Sequence, residues 1–143
     1  MKYIENISIL IFLIICSVSD IKSKKIYLRW CVFFLAAGIL ESIFFDNDWK
    51  VKIFFGIIPG LLIYAFSIVT KGDIGRGDAF VFMCIGVTIG IIKSMEIFIL
   101  GLFFTVMFTL PYSIFRHRNL KISVPFIPFS LMAFLTISLI PLF

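Results

Sequence analysis

Six apolar stretches, at about positions 3–19, 30–45, 53–70, 79–92, 95–115 and 122–143, take up most of this chain, with short polar clusters between them. A helix that crosses the hydrocarbon core of a bilayer needs about 20 mostly apolar residues, within a range of about 17–25. The second and fourth stretches are short by that measure, so their helices are expected to continue into the flanking polar residues. Transmembrane strands alternate apolar and polar residues, whereas these runs are apolar on both faces. The expected fold class is an all-α membrane protein of about six transmembrane helices, forming a single domain over 1–143.

Composition agrees. Hydrophobic residues make up 62% of the chain and charged residues 15%, with 19 Phe and a mean hydropathy of +1.16. A soluble domain carries about 45–50% apolar and about 25% charged residues. The excess has to be solvated by lipid. The net charge of +5 does not indicate nucleic-acid binding, because there is hardly any soluble surface on which a phosphate-binding stripe could lie.

The basic residues instead give an orientation. Lys22, Lys24, Lys25 and Arg29 follow the first run, Lys71 and Arg76 the third, and Arg116, Arg118 and Lys121 the fifth. The opposite side has Lys2, Lys50, Lys52 and Lys93. Cytoplasmic loops are enriched in Lys and Arg, so the odd-numbered loops are expected in the cytoplasm and both termini outside. Trp30 and Trp49 then fall at the two interfaces, as belt aromatics do. Lys2 followed by 7–15 resembles the start of a signal peptide, but no small-residue cleavage site follows. This segment is read as the first membrane helix.

Cys16, Cys31 and Cys84 lie inside apolar runs and form no C-x-x-C pair; they are read as small buried hydrophobes. With His117 as the single histidine, no Cys/His zinc cluster can be assembled at ligand spacing. No metal or other cofactor is expected. His117, between Arg116 and Arg118, is read as part of a solvated anchoring loop.

The acids sort by side as well. Glu5, Glu41, Asp46, Asp48 and Glu96 belong to the outer face, Glu41 and Glu96 reaching water from within or beside apolar runs. Asp20, Asp73 and Asp78 belong to the cytoplasmic side. Asp20 ends the first apolar run and Asp78 precedes the fourth, so helix packing can bring them together at one depth. Two nearby carboxylates cannot both ionise easily, which lets one act as base while the other keeps a proton. That is the requirement of an aspartyl protease. Around Asp78 the chain reads Gly75-Arg76-Gly77-Asp78; Gly77 lets a substrate backbone approach, and Gly75 admits conformations closed to other residues. The alternative is that Asp78 is simply a helix N-cap with glycines in the turn. Asp73 is read as a solvated loop residue or as a modulator of the pair.

Two further patterns concern packing. Gly56-x-x-x-Gly60 and Gly86-x-x-x-Gly90 place small residues at intervals that let helices approach closely in lipid. Pro125 and Pro128 should keep the cytoplasmic start of the sixth run from being a regular helix, and irregular backbone at membrane depth normally faces a cavity.

Three of these elements together resemble a known family. Gly75-Arg76-Gly77-Asp78 is similar to the GxGD signature of membrane aspartyl proteases. Asp20, five mostly basic or polar residues and Ile26 resemble the first-aspartate segment of type IV prepilin peptidases, relatives of the preflagellin peptidases. Val124-Pro125-Phe126-Ile127-Pro128-Phe129 resembles the Pro-Phe-x-Pro-Phe element near the end of the same family. The resemblance implies a six-helix peptidase core with Asp20 and Asp78 as the catalytic pair and Gly75, Gly77, Pro125 and Pro128 shaping the site. The implied reaction removes a short basic leader from prepilin-like or pseudopilin precursors at the cytoplasmic face of the inner membrane.

Two positions depart from the family pattern. Tyr27 stands where a proline usually follows the Ile, and Phe80 where a lysine usually lies two residues after the second aspartate. Members that also methylate the new N-terminus have an added domain with paired C-x-x-C motifs, which these residues lack, so peptidase activity without methyltransferase activity is expected. Two rival readings are an inactive homologue serving as an assembly subunit and a small ion- or proton-coupled transporter using intramembrane acids.

Overall fold

The computed structural model describes residues 2–23, 28–69, 75–116 and 125–139. Asp73, His117, Ile26, Tyr27 and Val124, all of which figure in the sequence reading, lie outside them. The described residues form six helices and no strand: α1 (Lys2–Ser23), α2 (Leu28–Phe45), α3 (Trp49–Val69), α4 (Arg76–Ile89), α5 (Ile91–Arg116) and α6 (Ile127–Leu139). Three of them are long and apolar enough to cross a membrane, over Glu5–Ser23, Trp49–Val69 and Ile91–Pro111.

The two short apolar runs behave differently. The helix of the second extends to 18 residues by taking in Leu28 and Arg29. The helix of the fourth also extends back, to Arg76, but stops at Ile89 with 14 residues. At about 1.5 Å per residue that is roughly 21 Å, short of a bilayer core of about 30 Å. The stop is at Gly90, where φ is 89° and the amide donates to the Gly86 carbonyl at 2.8 Å. A side chain would strain that conformation.

α4 is the central element. Ala79, Val81, Phe82, Cys84, Ile85, Gly86, Val87 and Thr88 are all buried, in contact with α1, α2, α3 and α5. Its closest partner is α3. Gly56 faces the backbone of Gly86, and Gly60 faces Ala79 and Met83, so closely that a Cβ at any of these three glycines would collide with the neighbouring helix. Gly90 takes no part in this seam; an added Cβ there would meet nothing within 4 Å. Pro59 is buried within α3, on the same seam. Large apolar side chains elsewhere point outward, among them Phe54, Phe66, Ile92, Ile99 and Met107, as lipid contact requires.

At the end of the bundle away from Asp20 the acids are held by Lys52, whose ammonium lies 3.0 Å from Glu5 and 2.6 Å from Asp46. Glu41 accepts a hydrogen bond from the Ser8 hydroxyl at 3.4 Å, so it is held inside the bundle rather than simply extended to water, whereas Glu96 is exposed. Trp49 opens α3 with the Lys50 ammonium 5.4 Å from its ring centre.

Candidate active site

Asp20 lies in the last turn of α1, which runs on to Ser23. It is 8% exposed, the one acid among the buried polar side chains of the described residues. α1 packs against α6 and α4, and the backbone amide of Ile127, at the start of α6, donates to Asp20 Oδ2 at 3.3 Å.

Asp78 reaches the same region from α4. Gly75 is the N-cap there, in extended conformation and with no side-chain cap. Asp78 is the third helical residue, its amide donating to the Gly75 carbonyl at 3.1 Å. The N-cap reading of Asp78 therefore fails, and its carboxyl is left for another role. It is half-buried and lies within electrostatic reach of Asp20. A Cβ placed on Gly75 would stand 3.1 Å from Asp78 Oδ2, so the first glycine of the motif keeps space beside the carboxyl. Gly77 is half-buried in the same turn.

The two prolines flank the start of α6, with Pro125 and Phe126 outside the helix as the prolines led one to expect. Pro125 precedes α6, while Pro128 is its second residue, in the first turn where proline is tolerated. Both are half-buried. Phe80, at the family's usual lysine position, packs edge-on against Tyr64 with ring centres 6.4 Å apart.

A grouping of the cysteines was not legible in the sequence. The buried Cys31 thiol touches those of Cys16 and Cys84, and Cys84 Sγ donates to the Cys31 carbonyl at 3.2 Å. The three thiols join α1, α2 and α4 one turn above Asp20. Spacing along the chain carries no trace of this, because each cysteine belongs to a different helix. A cavity of about 50 Å³ lies between the same helices toward the Glu41 end, lined by Ser8, Phe12, Phe34, Glu41, Cys84 and Thr88. It does not reach the aspartates. Among the described residues, no three His, Cys, Asp or Glu side chains are placed to share a metal ion.

The described residues thus form helices, three of them long and apolar enough to cross a membrane, with the Asp20 and Asp78 carboxyls within electrostatic reach of one another from separate helices. The family model described as the type IV leader peptidase family matches residues 7–110, a span that takes in both Asp20 and Asp78. The chain belongs to that family. α6 lies beyond the matched residues. No curated protein matches the chain at a significant level, and no solved structure does.

Proposed function

We propose that this chain is a membrane aspartyl endopeptidase that removes the short basic leader of type IV prepilin-like or pseudopilin precursors, with Asp20 and Asp78 as its catalytic pair. The observation that carries the reading is that two motif aspartates, the buried Asp20 on α1 and the half-buried Asp78 on α4, lie within electrostatic reach of one another in a chain of the leader peptidase family.

The chemistry follows from the pair. One carboxylate takes a proton from water as the water oxygen adds to the scissile carbonyl carbon. The other, carrying a proton, gives it to the carbonyl oxygen, so a neutral gem-diol forms. Its collapse breaks the C–N bond, and the leaving amine takes up a proton from the pair. No group beyond two carboxyls and a water is consumed.

In this reading all six helices cross the inner membrane, the short α4 reaching the outer side through the turn at Gly90 and α5. The aspartates face the cytoplasm, both termini lie outside, and the basic loops sit against anionic headgroups. A precursor approaches laterally, its leader in the cytoplasm and its hydrophobic helix in the bilayer. Gly75, Gly77, Pro125 and Pro128 shape the cleft.

The rival reading of an inactive assembly subunit draws on Phe80, whose ring is committed to apolar packing where the family usually has a charge. Membranes containing the chain and a precursor with a basic leader ending in glycine decide between them. The peptidase reading expects a product beginning just after that glycine, identified by mass; an uncut precursor supports the subunit.

A further inference from the structure

Phe126 is the N-cap of α6. Its carbonyl accepts the amide of Phe129 at 3.1 Å and that of Ser130 at 3.2 Å, which makes Ile127 the first helical residue. The amide of a first helical residue has no partner within its own helix. Pro125 before the cap and Pro128 after Ile127 have no N–H to offer, so the donors at this helix start are those of Phe126 and Ile127. Ile127 gives its own to Asp20, and a carboxylate on α1 thereby caps a helix from the far end of the chain.

The cap is held in place by aromatic side chains. The Phe126 ring centre lies 6.0 Å from Phe82 and 5.8 Å from Phe98, and those two rings are 5.2 Å apart at 81°. Phe98 meets both other rings edge-on, a favourable and directional contact, while Phe82 and Phe126 are tilted at 31°. Phe82 is fully buried and sits one turn after Asp78 on α4. The helix carrying one aspartate thus sets the cap that holds the other.

Resting on the peptidase reading, we propose that the Phe126–Ile127 cap, seated by Phe82 and Phe98, is a positioning device that holds Asp20 as the carboxylate that takes the proton from water, leaving Asp78 to give its proton to the scissile carbonyl. The Ile127 N–H is donated to Asp20 Oδ2, and a hydrogen bond of that kind favours the ionised form of a carboxyl. The positive end of α6 favours negative charge at Asp20, and two close carboxylates do not both carry charge easily. Among the described residues, the other ionisable groups at this end include Arg76 on α4, Lys22 and Cys16 on α1, and Arg29 and Cys31 on α2; Arg76, Lys22 and Arg29 are exposed, and α6 over Ile127–Leu139 carries no ionisable side chain.

Ile127→Pro tests this, because proline suits the first helical position and removes only the N–H there. Ile127→Ala is its control, losing the same buried side chain but keeping the amide. With a prepilin-like precursor in the same membranes, Ile127→Pro should lower kcat on the order of tenfold or more below Ile127→Ala at an equal KM. A second readout needs no turnover. The carboxylate stretch of Asp20, isolated by infrared difference against Asp20→Asn in protein labelled with carboxyl-13C aspartate, should shift in Ile127→Pro and stay put in Ile127→Ala. If Ile127→Pro does not accumulate, Phe126→Leu, which loosens the ring trio, should show a smaller loss of kcat at unchanged KM. Equal kcat values, or an Asp20 band that does not move, overturn the proposal. A band that moves in a protein that never cleaves the precursor counts against the peptidase reading and not against the cap.

Discussion

Gly56 on α3 and Gly86 on α4 bring their backbones into direct contact, with no side chain between them. That contact sets how α4 lies in the bundle, and so where Asp78 at its start is presented. Van der Waals packing of close-approaching backbones is a main source of helix association in lipid.

Gly86→Ala should therefore destabilise the protein, since the added methyl meets backbone that cannot rotate away. Overpacking of this kind costs about 1–3 kcal/mol, and reversible unfolding in mixed micelles measures it. Gly90→Ala should also destabilise, for a different reason, because its positive φ strains any side chain.

Gly75→Ala should act on the site more than on stability. Its Cβ would press on Asp78 Oδ2 and displace the carboxyl by a few tenths of an ångström. Small misplacements of a reacting group are costly, so leader cleavage should slow on the order of tenfold while unfolding in micelles stays near that of the wild type.

At the end of the bundle away from Asp20, Lys52→Met leaves Glu5 and Asp46 without their cation. These pairs are partly exposed, so the loss should be about 1 kcal/mol and smaller at high salt. Unfolding at two ionic strengths checks both parts, and the cleavage rate at the opposite end of the bundle should not follow.

The cysteine trio offers an independent check on the type of chemistry. Replacing Cys16, Cys31 and Cys84 together by Ala should leave precursor cleavage within a fewfold of the wild type, and thiol-alkylating reagents should not inhibit. Loss of cleavage in a variant that still inserts and folds would move the chemistry from carboxylates to thiols.

Much of this was legible in the chain because lipid imposes strong rules. Apolar runs gave the helices to within a few residues, and charge asymmetry put Asp20 and Asp78 on one side before any motif was considered. Local signals did less well where packing decides. The Gly86-x-x-x-Gly90 spacing suggested one packing stripe, yet Gly86 belongs to a helix seam and Gly90 to a turn. Pro125 and Pro128 suggested irregular backbone, and Pro125 and Phe126 do lie outside α6, but nothing in the spacing suggested that the prolines bracket an amide that reaches across the bundle to Asp20. Neither that hydrogen bond nor the meeting of Cys16, Cys31 and Cys84 leaves a mark in sequence spacing, since each depends on which helix faces which.

The central claim is that Asp20 and Asp78 act as one catalytic pair. The most direct measurement follows cleavage of a prepilin-like precursor in membranes containing the wild type, Asp20→Asn or Asp78→Asn, with insertion and folding of each confirmed. Asparagine keeps the shape but can neither take nor supply the proton, so each single change should lower the rate by about 10²–10⁴-fold. Cleavage at the wild-type rate by either variant would contradict the account.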